Sequence, residues 1–596
     1  MDGVRVHLAG PPFLEHGTGN GRRPHGRKAW GLLAYLVLHH APTPRAQLAA
    51  MLFPDAVDPL GALRWHLSDL RRVLGSDVSL QGDPLTLQLP PSSWTDMEPG
   101  TPLPSTGDHP LSAELIEGLD FSDCPGFDSW LTVERHRLRH RVETAAYEGG
   151  LSALAGGDTA TAVQLAARAL ELDPLNPDFH ALLVRSLVAA GDRAGARDSA
   201  DRCAALFAEQ LGAGLPAEVQ HALAAPDTGI GTLPATRVAV RSYLEAATAS
   251  LAAGATGSAL AQLRVAGGLA ERTGIRALQA EALLSLAGAL IHGAGGRGAE
   301  VSDLLHRAAS LSRDGPPSLQ SAAYRELGFL AVQRGFPTSG LHWLGQAEAA
   351  AAGLDDETAK ALGVRGMLAT DTADYPTARS ALQESIRLSS QMRAVRQEAF
   401  ARTMLGRVHL LTGQLQSAAL ELDAALTLAD RDHWVAFLPL AEALRSEVHL
   451  LSGEDSLAVE MAEHATALAA AFGDRCFIDA ATHAKTKALL SAGHMDAAGS
   501  WILRGLGRNP WYRWFRGRNL ELACTADLRS NPQRALGYAR ELGELSSRYG
   551  HDELTVRAYS FLDLLGDGAV GAAIPVLAGR ISNPLLHAEL ALRNQL

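Results

Sequence analysis

Lysine is almost missing from this 596-residue chain: Lys28, Lys360, Lys485 and Lys487 are all there is. Arginine greatly outnumbers it, so the basic charge is not missing; it is the net charge of −12 that argues against general affinity for nucleic acid, and any such affinity has to be local. Cysteine is scarce too. Cys124, Cys203, Cys476 and Cys524 show no paired or metal-type spacing, which excludes a disulfide framework and fits buried thiols in a reducing compartment. No apolar run approaches the length of a membrane span, and the N-terminus lacks a signal-peptide core, so a soluble, cytoplasmic chain without a membrane partner is expected. The 22 histidines, His39-His40 included, form no ligand-spaced cluster, and no metal site is expected. Gly293-Ala294-Gly295-Gly296-Arg297-Gly298 is glycine-rich but lacks the Gly-Lys-Ser/Thr of a phosphate loop. Nucleophile elbows and paired-carboxylate motifs are missing as well. An enzyme is not expected, and neither is a cofactor.

What is present is alanine, glycine and helical periodicity. Hydrophobic residues make up 47% of the chain and aromatics only 5%. That balance suits stacked helices whose small side chains let backbones approach. The length calls for several domains or a repeat array. Gly157-Asp158 recurs as Gly191-Asp192, a 34-residue period typical of tetratricopeptide units, with Asp173-Pro174-Leu175-Asn176-Pro177 turning between them. Later turns at Gly335, Tyr375, Gly413, Gly453 and Gly493 lie about 40 residues apart, within the range of helical-hairpin repeats. Small residues follow them (Ala378 and Ala381, Ala418 and Ala419, Ala458, Ala497 and Ala498), as close hairpin packing requires. Stretches rich in Pro, Gly and Ser/Thr at 97–110 and 226–234 read as linkers. The expected division is 1–96, 111–225 and 235–596, the last a tetratricopeptide-like α-solenoid.

Residues 27–74 read as three short helices. The first begins at Arg27, and Thr43-Pro44 announces the second, which carries Leu48, Met51 and Leu52. The third has Asp58 as N-cap, Pro59 at its first position and Gly75 as its stop. Leu63, Leu67, Leu70 and Leu74 share one face of it, while Trp65, Ser68, Asp69 and Arg72 share the other, flanked by Arg64, His66 and Arg71. That is either a groove-reading helix or an ordinary amphipathic one. Val4, Val6 and Leu8 alternate before Gly10-Pro11-Pro12. A second hairpin joins residues 78–80 to 85–89 through Gln81-Gly82-Asp83-Pro84. Strands, three helices and a terminal hairpin make a winged helix-turn-helix. Residues up to Pro90 carry nine Arg/Lys against seven acids, only weakly basic for a DNA-binding module.

These segments carry a resemblance. Leu32-Leu33-Ala34-Tyr35-Leu36, Gln47-Leu48-Ala49, Leu52-Phe53-Pro54-Asp55 and the run from His66 to Gly75 resemble the winged-helix domain of the Streptomyces antibiotic regulatory protein family. Glu114-Leu115-Ile116-Glu117-Gly118-Leu119-Asp120, Pro125-Gly126-Phe127-Asp128-Ser129-Trp130-Leu131 and Glu134-Arg135-His136-Arg137-Leu138-Arg139 are similar to the bacterial transcriptional activator domain that follows it in that family. Together the two cover roughly the first 225 residues. The resemblance implies a mainly α protein: an N-terminal winged helix, an all-α activator domain, then the solenoid. It also implies a DNA-binding regulator, acting as an activator. Its partners would be promoter DNA and RNA polymerase, with a homodimer on direct repeats and a protein or small-molecule effector on the solenoid. DNA contacts would come from Arg64, Trp65, His66, Ser68, Asp69, Arg71 and Arg72, with Arg45 from the second helix. Two departures stand out. Relatives commonly carry Arg where this chain has Asp69, and their wing turn is followed by Tyr-Arg, whereas Gly82-Asp83-Pro84-Leu85-Thr86 puts no basic side chain at the tip. The alternative is a tetratricopeptide-like interaction scaffold with a degenerate winged helix that no longer reads DNA. Two clusters remain open. Arg22-Arg23-Pro24-His25-Gly26-Arg27-Lys28 is either a phosphate-contacting loop or a solvated one. Trp511-Tyr512-Arg513-Trp514-Phe515-Arg516-Gly517-Arg518 is either a docking patch or the anchor of a repeat helix.

Overall fold

The computed structural model describes residues 3–15, 23–39, 41–75, 77–97, 114–224, 235–252, 254–507 and 512–593. Apart from Met97, both expected linkers fall outside these ranges, as do Arg22, His40 and Trp511. The described chain is mainly helical and divides into two compact units. One comprises residues 1–142 with 527–582, the other 143–526 with 583–596.

In the first unit β1 (Arg5–His7) and β2 (Phe13–Glu15) pair antiparallel, Val6 opposite Leu14. Three helices follow: α1 (Arg27–Leu38), α2 (Arg45–Leu52) and α3 (Pro59–Leu74). A hairpin then joins β3 (Ser79–Gln81) to β4 (Thr86–Gln88), with Leu80 opposite Leu87. The sequence gives no sign of β5 (Trp94–Thr95), a two-residue strand that pairs parallel to β1. α3 keeps its expected limits because Asp58 accepts from the Gly61 N–H and Gly75 takes a φ of 92°. Leu63, Leu67, Leu70, Val73 and Leu74 are buried.

Residues 114–142 close over these elements. Ala9 bridges to Leu115, and the Ile116 N–H donates to the Leu8 carbonyl at 2.8 Å. α4 (Pro125–Ala155) sends Phe127 and Trp130 in against Tyr35 and Phe121. Gly31 of α1 is required here, since a Cβ would lie 2.8 Å from the Phe121 ring. The helices Pro532–Tyr549 and Asp552–Leu564 return to the same unit. They are held through Arg137 to Asp552, His136 to Ser547 at 2.8 Å, and Arg580 to Glu134 at 2.8 Å and His39 at 3.0 Å. Linear order conceals this return, because it joins residues more than 400 positions apart.

The second unit is a succession of helical hairpins. Thr159–Leu172 and Arg193–Leu211 follow turns in which Gly157 and Gly191 both adopt a φ of 85°, and Pro177–Ala189 lies between them. Asp158, Asn176 and Asp192 cap the three helices. Further on, Pro317–Arg334 pairs with Pro337–Ala350, Asp355–Asp371 with Tyr375–Met392, Val395–Leu411 with Leu415–Arg431, Leu438–Leu451 with Asp455–Phe472, and Arg475–Ser491 with Met495–Leu506. Gly335, Gly413, Gly453 and Gly493 hold the left-handed conformation at the turns, whereas before Tyr375 it falls on Ala373. Ala378, Ala381, Ala418, Ala458 and Ala498 are buried as expected, Ala419 is half-buried, and Ala497 is exposed instead. Glycines that sequence reading overlooked matter as much. A Cβ on Gly328, Gly366 or Gly406 would lie 2.8, 2.3 or 2.7 Å from Leu344, Leu382 or Leu422 of the partner helix.

Candidate functional site

Two places concentrate chemistry, one in each unit. On α3 the outward face presents Arg64, Trp65 and Ser68, with Trp65 57% exposed. Three expected contact residues behave otherwise. Asp69 does not face outward: it is 6% exposed and accepts from the His25 N–H at 2.7 Å and from Arg72 at 2.5 Å, with His25 Nδ1 2.9 Å away. Burial pushes its carboxyl up, but those hydrogen bonds outweigh it and hold the group below the usual carboxylate range. A carboxylate here therefore fastens the loop before α1 to α3. His66 is half-buried, stacked on Phe53 at 5.1 Å. Arg71 donates through Nε to the Leu80 carbonyl at 2.7 Å, tying α3 to the β3–β4 hairpin.

The hairpin turn also differs from expectation. Arg45 Nε donates to the Gly82 carbonyl at 2.8 Å and its N–H to Asp83 at 3.0 Å, so a basic side chain does reach the turn, from α2. In the basic run, Arg27 and Lys28 pair with Asp123 at 2.5 and 3.2 Å. The hydrogen bond from Arg27 is the chief cause of the fall of the Asp123 carboxyl to about 2. These two cations are committed within the unit, which neither reading of the run foresaw.

The second place is a cavity of about 340 Å³ among the hairpin helices. The first helix of each hairpin from Pro317–Arg334 to Val395–Leu411 lines it. Segments 434–440 and 474–477 and the start of the helix Arg513–Asp527 complete the wall. Phe329, Phe400, Trp434, Phe437, Phe477 and Phe515 supply an aromatic lining, with Trp434 and Phe437 stacked at 4.2 Å. The aromatic cluster after residue 511 settles inward: Tyr512, Trp514 and Phe515 are buried. In the wall itself Arg407 donates to Asp371 at 2.6 Å and to the Tyr512 hydroxyl at 2.9 Å, and its guanidinium lies 3.7 Å from the Trp514 ring centre. The rejected phosphate-loop segment acquires a place here as well. The helix Arg276–Gly288 continues into a π-helical turn, Ala289–Gly293, and the glycine-rich stretch after it delivers Arg297 to the cavity. Sequence reading found neither Arg297 nor Arg407. The signal was arginine within otherwise apolar helical or glycine-rich surroundings, which is ambiguous without the fold.

Comparison with known proteins bears on the helical part. The family described as Tetratricopeptide repeat matches residues 153–207, a segment built of paired helices. No curated protein matches the sequence. Among solved structures, a Rap protein complexed with Competence and Sporulation Factor is similar at 13% identity and a TM-score of 0.45, over 59% of this chain and 98% of its own. Yeast Tom70 is similar at 12% identity and 0.32, over 77% and 94%. Aspartyl phosphate phosphatase F from Bacillus subtilis is similar at 11% identity and 0.36, over 72% and 95%. Similarity at this level assigns no function. Among the described residues no helix is long and apolar enough to cross a membrane.

Proposed function

We propose that the protein is a non-catalytic regulator: a helical-repeat array that binds a partner or effector, joined to a winged-helix module that docks on promoter DNA. The binding role of the array is the better supported half, through the tetratricopeptide match at residues 153–207 and the aromatic cavity. The DNA half rests on one observation. α3 buries a continuous leucine face and leaves Arg64, Trp65 and Ser68 projecting into solvent beside a β-hairpin, a form that can enter a major groove. Contact with RNA polymerase, and a homodimer to supplement a weakly basic module, belong to the same proposal.

A second reading, the interaction scaffold whose N-terminal module contacts protein, is favoured by a specific feature. Asp69, the Leu80 carbonyl and the Gly82 carbonyl already engage Arg72, Arg71 and Arg45, leaving few free cations for phosphates. The test is a salt titration of full-chain binding to fragments of its own upstream region, with Arg64→Ala and Trp65→Ala alongside. Regulator behaviour is selective binding that weakens with salt, lower affinity in both variants, and a salt slope reduced by about one in Arg64→Ala. An absence of selective binding at low salt would leave the scaffold.

A further inference from the structure

Arg297 is 2% exposed, and its hydrogen bonds go to neutral groups. Nε donates to the Gln333 amide oxygen, and Nη1 to the carbonyls of Ile291 at 2.6 Å and Gly296 at 3.0 Å. The nearest group recorded at Nη2 is the Cys476 sulfur, 4.0 Å away. That thiol is no counter-ion, because burial pushes it up to about 12 and keeps it neutral. The other cations of the lining are satisfied: Arg325 by Glu326 and Glu357, Lys360 by Asp356 and Glu357, Arg396 by Asp432, and Arg407 by Asp371. Among the described residues Arg297 is the lining cation with no carboxylate within ion-pair distance. Glu326 is anionic but is already met by Arg325 and His292, each at 3.1 Å. A guanidinium buried in an apolar cavity is costly unless an anion completes it. The π-helical turn that places it costs regular helix geometry, and such turns cluster at functional sites.

We propose that this cavity binds a small monocarboxylate with a planar apolar body, its carboxylate on Arg297 and its body against Phe437 and Phe477. Arg297 has the Phe329 ring 5.9 Å away and feels Glu326 at longer range, and Asp474 also lines the cavity, so the place beside the guanidinium calls for a single negative charge, which a carboxylate matches and a phosphate dianion exceeds. The volume, about 340 Å³, lies within the range of small-ligand sites. An extended peptide fits poorly. The lining includes no asparagine, and its two glutamines are already engaged, Gln333 with Arg297 and Gln397 with the Ala359 carbonyl and Ser385. Backbone amides of a peptide would thus enter the wall largely unpartnered.

The site deepens the reading of the array as a binding module, whereas DNA docking is scored by its own assay, so failure of either is distinguishable. Calorimetric titration of the full chain with 2-naphthoate, 2-naphthamide and 2-naphthyl phosphate tests it. The expected result is one saturable site for the naphthoate, with the amide about 10- to 100-fold weaker and the phosphate weaker than the carboxylate. Arg297→Met should remove that preference for acid over amide, with far-UV circular dichroism checking its fold. The wild-type comparison of acid and amide needs no variant. Equal binding of acid and amide, tighter binding of the phosphate, or no saturable binding of the acid would each overturn the proposal.

Discussion

Replacing Arg407 with Met should destabilise the helical array more at neutral pH than in acid. Arg407 is 1% and Asp371 4% exposed, 2.6 Å apart, with the Tyr512 hydroxyl donating to both carboxylate oxygens at 2.9 Å. Removing the guanidinium leaves a buried carboxylate with only a phenol for company. Breaking one partner of such a pair costs about 3–5 kcal/mol. Burial already raises the Asp371 carboxyl above its ordinary value, although Arg407 and Tyr512 pull it back. A carboxyl raised in the folded state favours folding when protonated, and that contribution is lost as pH rises through its folded value. Without Arg407 the value climbs further, so the penalty should shrink as pH falls toward about 4, where the unfolded carboxyl also takes up its proton. Urea unfolding of the full chain, followed by circular dichroism and tryptophan fluorescence, provides the assay. The transition of the array must be separated from that of the other unit. Adding Asp371→Asn to Arg407→Met should recover most of the loss, because the stranded charge is gone. A single variant that loses under about 1 kcal/mol at pH 7, or a double variant no more stable than the single, would refute the reasoning.

Three further outcomes are expected. Gly366→Ala would place a Cβ 2.3 Å from Leu382 Cγ and should cost about 1–3 kcal/mol by overpacking, read as a lower melting temperature that Leu382→Ala partly restores. Glu326 is held at about 2, its burial outweighed by His292 and Arg325. Its stabilising share is therefore complete above the ordinary 4.5 and is lost as pH falls from there toward 2, a slope that Glu326→Gln should flatten in an acid titration of the fold. Asp69→Asn should cost about 1–3 kcal/mol and speed proteolysis near His25, whereas Trp65→Ala on the exposed face should stay within about 0.5 kcal/mol.

Local rules carried the reading of the sequence where one helix or one turn decides the outcome. Asp58, Pro59 and Gly75 define α3 through capping alone, and the glycine turns of the array follow from their need for positive φ. Strand β5 escaped because two residues carry no period, and it exists only through β1. Asp69 was placed outward by helical spacing, which cannot know that the loop from His25 folds back to meet it. Likewise nothing local announces that Arg580 will pair with Glu134. The cavity was illegible for the same reason. Its wall draws three to five residues from the first helix of each of three hairpins, and Arg297 reaches it from a glycine-rich stretch that matches no binding motif.

The array nevertheless contains a register that makes part of that wall intelligible. Gly328, Gly366 and Gly406 mark the same turn of three successive first helices, each against a leucine of its own partner helix. Two residues before these glycines stand Glu326, Val364 and Met404, and one residue after them stand Phe329, Met367 and Arg407. All six line the cavity. Positions three apart share a helix face, so the glycine commits one side of the turn to hairpin packing and thereby aims the adjoining side at the cavity. Glycine and leucine recur in the packing rows, while the cavity rows pass from carboxylate to aliphatic to thioether, and from phenyl to thioether to guanidinium. Hairpin packing and cavity lining are thus divided between neighbouring faces of the same turn. Substitutions in the cavity rows can therefore change the chemistry of the wall without disturbing the close approach that holds each hairpin together.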